Sequence, residues 1–357
     1  MLSRALGWIA VLAGFVLAGI LVWPQAVGLN DQWIAAHVVA LRGAGAIGAV
    51  ALAVVAAALT LVRPVRRAAI AVAAILAFFA AGNAAVLAVR GFGGGADAPT
   101  GAAATADGDV TVLSWNTLGE VPEVGVVVDL AVSEGADVIV LPETTEEFGE
   151  DLAVAMRDAG DPMWVHTQSF DHISKARSTT LLVSPRLGDY TVVSAEWPGP
   201  PDNTNTLPTV VAVPVNGVGP EIIAVHAVAP IRWELRNWRS DLDWLASLCD
   251  PDGSGLGTAG GGDAGVIMAG DFNATLDHFA GRGVDGGNLG ACHDAAAATG
   301  SAALGTWPTD VPSWLGSPID HVLATDDWQV SSFRVVDELD DAGSDHRPVV
   351  ARLAPTG

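Results

Sequence analysis

Three apolar stretches, Ala5–Trp23, Gly43–Val62 and Ala68–Val89, fill most of the first 90 residues. Each runs for roughly 19 to 22 residues, enough for an α-helix to cross the hydrocarbon core of a bilayer. No other feature constrains the fold as strongly, because lipid offers the backbone no hydrogen-bond partner and an isolated segment inside it must be helical. The first stretch has the length of a signal peptide, but no convincing cleavage site follows it and two more spans do. We therefore expect a membrane anchor of three transmembrane helices over residues 1–90. Arg4 and the cluster Arg63-Pro64-Val65-Arg66-Arg67 mark the cytoplasmic ends, which places everything from about Arg90 onward outside the cytoplasm. The expected location is the cell membrane, multi-pass, with the following domain extracytoplasmic. Arg42, at the outer end of the second span, runs against the charge rule. Asn83 in the third span reads as a helix–helix hydrogen bond, and no series of ionisable residues marks a permeation path.

Residues 91–108, GFGGGADAPTGAAATADG, lack large apolar groups apart from Phe92 and read as a flexible linker. A globular domain is expected over 109–357. It carries nearly all the acid: setting aside six arginines and two aspartates in residues 1–100 leaves 11 bases and 38 acids, a net charge of about −27. Affinity for a long polyanion comes from Lys and Arg displacing counterions, so long nucleic acid is a disfavoured partner here. Cys249 and Cys292 both fall in this domain. Outside the cytoplasm they would form a disulfide, and in a reducing compartment they would be small buried residues.

Within the domain, apolar runs alternate with Gly, Pro and Asn. Strands are expected at Val110–Ser114, Asp137–Leu141, Met163–Thr167, Thr179–Ser184, Tyr190–Glu196, Thr209–Val215, Glu221–His226, Val266–Asp271, Ile319–Leu323, Gln329–Val335 and Pro348–Leu353. Helices are expected at Val124–Ser133, Glu146–Ala159 and Trp233–Leu248, the last with Leu235, Trp238, Leu242 and Leu245 on one face. Residues 250–265 are Gly-rich and read as a surface loop. Many strands with few, well-separated helices indicate an α+β domain of two packed sheets with helices outside.

Several strands end in a polar residue: Asn116 in VLSWNT, Glu143 in DVIVLPET, His226 in IIAVHAVAP, Asp271 and Asn273 in VIMAGDFNAT, Asp320 in SPIDHVLAT, and Asp345-His346 in GSDHRPVV. One such ending is ordinary turn chemistry. A set of Asn, Glu, His and Asp endings is the material of a catalytic site. In these motifs, and in their order WNT, LPE, GDFN, IDH and SDHRPV, the chain resembles the endonuclease/exonuclease/phosphatase superfamily. That group includes pancreatic-type deoxyribonuclease, apurinic endonucleases, neutral sphingomyelinases and inositol polyphosphate phosphatases. The resemblance covers about Val110–Leu353. It implies a four-layer α/β/β/α sandwich with the active site where the two sheets open, and hydrolysis of a phosphate ester with a divalent cation, Mg²⁺ or else Mn²⁺ or Ca²⁺. It says nothing of the spans.

Cleaving a phosphate ester requires an activated water, neutralised charge on the non-bridging oxygens and help for the leaving oxygen. Asn116 and Glu143 are hard oxygen ligands of the type such cations select, and the resemblance makes Glu143 the main ligand. Asp345 is a second ligand or a hydrogen-bond partner. Asp271 would orient and deprotonate the water, and Asn273 would donate to the phosphate. His226 and His346 would flank the phosphorus, one steadying its oxygens and the other moving a proton. Asp320 would hold the His346 ring in one tautomer. His37, His166, His172, His278, His293 and His321 read as core or surface groups. Lys175 and Arg177 need no phosphate role, and Trp307 is expected near the site mouth. The expected function is a membrane-anchored phosphoesterase with no obligate protein partner. The alternatives are a nuclease acting on extracellular DNA or RNA, and an inactive binding module displayed on a membrane stalk.

Overall fold

The structure, a computed structural model, describes residues 2–93, 108–171, 173–193, 203–249 and 264–356. Most of the expected linker (94–107), the end of the strand expected at Tyr190–Glu196, the Gly-rich loop over 250–263, and His172 lie outside the described residues. The N-terminal segment comprises α1 (Leu2–Val22), a short α2 (Trp33–Ala40), α3 (Arg42–Leu59) and α4 (Arg66–Arg90). Three of these, over Arg4–Val22, Arg42–Leu59 and Arg66–Arg90, are long and apolar enough to cross a membrane. They are rich in Ala, Val and Leu all round, as a helix bathed in lipid must be. Helices α3 and α4 form an antiparallel hairpin, and α1 lies against α4, where Phe15 meets Phe78 edge to face at 5.5 Å.

The domain follows as β1 (Val110–Ser114), α5 (Val124–Glu134), β2 (Val138–Pro142), α6 (Glu146–Ala159), β3 (Trp164–Ser169), β4 (Ser178–Val183), β5 (Tyr190–Val192), β6 (Val210–Pro214), β7 (Glu221–His226), α7 (Leu235–Leu248), β8 (Val266–Asp271), α8 (Leu276–Phe279), β9 (His293–Asp294), α9 (Ala295–Ala298), β10 (Asp320–Ala324), β11 (Trp328–Val335) and β12 (Val349–Pro355). The strands form two six-stranded sheets, ordered β11-β12-β1-β2-β4-β3 and β5-β6-β7-β8-β10-β9. Both are mixed. The parallel pairs are β1 with β2 and β7 with β8, and each needs a crossover, which α5 and α7 supply.

Alternation along the strands builds the layers. Val112, Val140, Ala224, Ile267, Val322 and Ala351 point between the sheets. Leu113, Ile139 and Leu141 point outward onto α5 and α6, where they meet Leu152 and Met156. Ile223, Val225 and Met268 point outward onto Trp238, Leu242 and Leu245 of α7. The result is the four-layer α/β/β/α sandwich expected. Cys249 and Cys292 are joined, with Cα atoms 5.5 Å apart, tying the end of α7 to the segment before β9.

Helices α2, α8 and α9 and strand β9 were not expected, since each is eight residues or fewer and is stabilised by distant partners. The largest addition concerns Arg42. Its Nε and Nη2 donate to the Asp277 carboxylate at 2.8 and 2.7 Å, and its Nη1 donates to Asn83 Oδ1 at 2.7 Å. Arg90 Nη2 reaches the same carboxylate at 2.8 Å. Gln25 Nε2 donates to it at 3.0 Å, and Arg42 Nη1 also donates to the Val22 carbonyl at 2.9 Å. The domain-side ends of the three long apolar helices therefore meet on one domain aspartate whose side chain is 0% exposed. The arginine that ran against the charge rule is buried in an ion pair, and Asn83 makes the helix–helix bond expected of it. Beyond this hub, Ala302 and Ala303 donate to the carbonyls of Arg90 and Gly91, and Arg239 grips the Asp31 carbonyl at 2.6 Å.

Candidate active site

In the parallel pair β7–β8, His226 stands opposite Asp271, and in the antiparallel pair β8–β10, Asp271 stands opposite Asp320. Ala224, Ala269 and Val322, two residues away in each strand, point between the sheets, so the period of two places His226, Asp271 and Asp320 in one row on the inner face. Asn116 and Glu143, just past β1 and β2, and His346, just before β12, come to the same opening from the other sheet. All these residues, with Asn273 and Asp345, lie around one opening between the sheets. His226, Asp271, Asp320, His346 and Asn116 are buried, while Glu143, Asn273 and Asp345 are half-buried at the rim.

The local backbone is shaped to deliver them. Gly270 has φ +144°, and a Cβ there would collide with the Val225 carbonyl, so only glycine lets β7 approach β8 one residue before Asp271. Glu143 and Asn273 have φ of +60° and +47°, an uncommon conformation for side-chain-bearing residues. Asp271 Oδ1 stabilises the latter turn by accepting from the Asn273 backbone N–H at 2.8 Å.

Asn116 Nδ2 donates to Asp271 Oδ2 at 3.1 Å and faces Glu143 Oε1 at 3.3 Å. Its Oδ1 accepts from the Leu118 N–H at 3.0 Å. Asn273 Nδ2 donates to the Ala227 carbonyl at 2.9 Å and to Asp271 Oδ2 at 3.2 Å. His346 Nδ1 is 2.9 Å from Asp320 Oδ2, and its Nε2 is 3.8 Å from Asp271 Oδ2 and 4.0 Å from Asp345 Oδ1. Trp307 Nε1 donates to Asp345 Oδ2 at 2.9 Å, which puts Trp307 at the mouth as expected.

Charge in this opening is unbalanced. Burial raises the Asp271 carboxyl, and the nearby Asp320 adds to the rise. Burial likewise raises Glu143, against the Asn116 hydrogen bond. Burial alone would lower His346, but the carboxylates of Asp320 and Asp271 overcome it and push the imidazole up. His226, fully buried and repelled by His346, is pushed down to about 3 and stays neutral.

Oδ1 of Asp320, Oδ1 of Asp345 and Nδ1 of His226 are buried without a partner. Unpaired buried acceptors among hard carboxylate oxygens fit a cation. Asp271, Asp320 and His346 present ligand atoms within 4.8 Å of one another, while the expected ligands Asn116 and Glu143 lie across the opening with Asp271 between.

Supporting residues had no clear sequence signal. Trp115 Nε1 donates to the His346 carbonyl at 2.8 Å. Ser344 Oγ donates to the Asn116 carbonyl at 2.6 Å and accepts from the His346 N–H at 3.1 Å. Their positions inside WNT and SDH are the only hint. His321, expected as a core group, is one: its Nδ1 pairs with Asp294 at 2.6 Å, and its Nε2 contacts the Ala274 carbonyl at 2.8 Å. Lys175 is paired with Glu120 at 2.5 Å and Arg177 with Asp171 at 3.1 Å.

Among solved structures, the chain is similar to an endonuclease/exonuclease/phosphatase from Beutenbergia cavernae, with 18% identity, 70% of this chain and 72% of that one covered, and a TM-score of 0.49. It is similar to TDP2 of D. rerio complexed with single-strand DNA product, with 16% identity, 69% and 98% covered, and a TM-score of 0.49. The 3′ phosphatase NExo from Neisseria, bound to a product DNA hairpin, shows 18% identity, 68% and 98% covered, and a TM-score of 0.46. No curated protein matches the chain. The sequence profile of the Endonuclease/Exonuclease/phosphatase family matches residues 113–346, the span that runs from β1 to His346 and contains every residue of the opening. The chain belongs to the endonuclease/exonuclease/phosphatase family, whose members hydrolyse phosphoester bonds.

Proposed function

We propose that this protein is a membrane-anchored, extracytoplasmic, divalent-metal-dependent phosphoesterase that attacks phosphorus with an activated water. The observation that carries this reading is the row His226–Asp271–Asp320 facing Asn116, Glu143 and His346 across the opening. The cation, Mg²⁺ or else Mn²⁺ or Ca²⁺, would be held by Glu143 with Asn116 and Asp345. When bound, it supplies charge neutralisation at the non-bridging oxygens. Asn116 would turn its carbonyl inward for this, giving up the bond from Leu118 N–H.

Asp271 takes the proton of the attacking water. Its raised carboxyl brings its basicity toward the working pH, where general-base catalysis is most effective. Asn273 holds Asp271 in place and would offer an amide N–H to a phosphate oxygen by releasing one of its two bonds, to the Ala227 carbonyl or to Asp271. His346, oriented by Asp320 and kept protonated by its carboxylates, stabilises the developing negative charge and gives a proton to the leaving oxygen. His226 is held neutral and steadies the phosphoryl oxygens from the opposite side.

The sidedness rests on Arg4 and the Arg63–Arg67 cluster, and the Cys249–Cys292 bond is of the kind that persists in oxidising compartments. Long nucleic acid is disfavoured by the domain's charge. Beside the opening, a cavity of about 980 Å³ is walled by Glu120, Glu146, Glu147, Asp151 and Asp171, with Lys175. The test is hydrolysis of bis-(p-nitrophenyl) phosphate by the full chain in detergent micelles with Mg²⁺ or Mn²⁺. Activity should vanish in EDTA and be nearly absent in Asp271→Ala and His346→Ala. Metal-independent turnover, or wild-type rates in both variants, would refute the assignment.

A further inference from the structure

The N-terminal helices do more than tether the domain, because their domain-side ends are bonded to segments that continue into the site. Asp277, which receives Arg42 and Arg90, is six residues beyond Asp271, so the two are at most about 21 Å apart along the chain. A second connection runs through the loop between α9 and β10. At one end Trp307 Nε1 donates to Asp345 at 2.9 Å. At the other, Trp314 and Leu315 lie on the first turn of α3, where a Cβ on Gly43 would come within 2.6 Å of the Trp314 carbonyl. Arg347, next to His346, stiffens this loop by donating to the carbonyls of Pro308 and Val311 at 3.1 and 2.7 Å. The rim of the site is thus joined by rigid, hydrogen-bonded chain to the point where a span leaves the bilayer.

The loops that run from this rim, and the end of one that meets α3, also carry apolar groups on an otherwise acidic domain. Trp314 is 49% exposed. The segment after His226 presents Ile231, 37% exposed, and Trp233, 79% exposed. It leads into α7, whose Arg239 grips Asp31 of the juxtamembrane turn. Tryptophan is favoured at the bilayer interface, where its ring is amphipathic enough for the headgroup layer. A domain carrying about −27 charges would be repelled by anionic headgroups, and the Arg42–Asp277–Arg90 hub opposes that repulsion.

We propose that the substrate is a phosphoester carried by a membrane lipid, taken from the leaflet beside the site. This rests on the phosphoesterase reading above and names its substrate class. In the reaction, water adds to the lipid's phosphorus, one P–O ester bond breaks, and the leaving oxygen departs with a proton.

The experiment uses the full chain in phosphatidylcholine nanodiscs containing phosphatidic acid, phosphatidylglycerol or phosphatidylinositol. Phosphate or headgroup release is measured from every lipid present and from its dihexanoyl analogue in solution, alongside bis-(p-nitrophenyl) phosphate. We expect at least one long-chain ester to be cleaved with kcat/KM at least tenfold above its short-chain analogue. In the double variant Trp233→Ser/Trp314→Ser that ratio should fall at least fivefold. Hydrolysis of the p-nitrophenyl ester with no long-chain preference, or a ratio unchanged in the variant, overturns the lipid proposal and leaves the phosphoesterase standing. Failure to cleave any ester overturns both.

Discussion

His346 stands between carboxylates with unequal claims on it, hydrogen-bonded to Asp320 at 2.9 Å and facing Asp271 at 3.8 Å. Asp320 acts through the ring and serves as a positioning residue. Replacing it by Asn removes the charge and offers an amide that can fix the wrong tautomer, so Asp320→Asn should lower kcat by about 10- to 100-fold. The His346 titration, followed by NMR, should fall back toward the ordinary 6.5. A ring that titrates as before would contradict the positioning role.

His226 and His278 carry the opposite sign, because burial pushes them down to about 3 and about 4. Below the ordinary 6.5 the unfolded chain binds their protons and the folded one does not. Stability is therefore complete above pH 6.5 and is lost as the solution is acidified toward pH 4. Thermal melts from pH 7 to pH 4 should show this fall, and His226→Asn should make it shallower.

At the scale of elements, the row His226–Asp271–Asp320 exists because β7 and β8 lie close at Gly270. Gly270→Ala meets both a collision with the Val225 carbonyl and a φ of +144°. We expect a loss of at least about 1–3 kcal/mol, read as a lower melting temperature, with activity falling as the row is displaced. Most of these elements were legible in sequence: strands buried on both faces, which read as continuous apolar runs, and the long amphipathic α6 and α7 fell within a few residues of their observed bounds. The site was legible as a set of strand endings, since each polar residue interrupts an apolar run. The pairing of Arg42 with Asp277 was not, because its partners are 235 residues apart and neither has a local pattern that names the other. Helix α2 escaped for the same reason, its register being set by Ala36 packing into the core beside α7 and by the contact between His278 and the Ala36 carbonyl. Asp277→Ala should strand the buried guanidinium of Arg42 and the half-buried one of Arg90 and cost about 3–5 kcal/mol, measured by thermal unfolding in detergent. A melting point equal to wild type would show the hub to be dispensable.

For the whole molecule, the described residues join an apolar helical unit to a sandwich through buried polar contacts. Cys249 and Cys292 are both fully buried and bonded, so a thiol reagent applied without reduction should label neither, and ready labelling of both would show the bond absent in the native protein. The hub also sets an order of assembly. Asp277 is 235 residues beyond Arg42, a delay of about 10 to 50 s at ribosomal rates of about 5–20 residues per second. Until Asp277 is made, Arg42 and Arg90, at the ends of α3 and α4, lack the carboxylate that pairs with both. Their packing is completed only when the domain, made last, folds back and delivers Asp277. The helices that are made first are thus the part of this protein that finishes folding last.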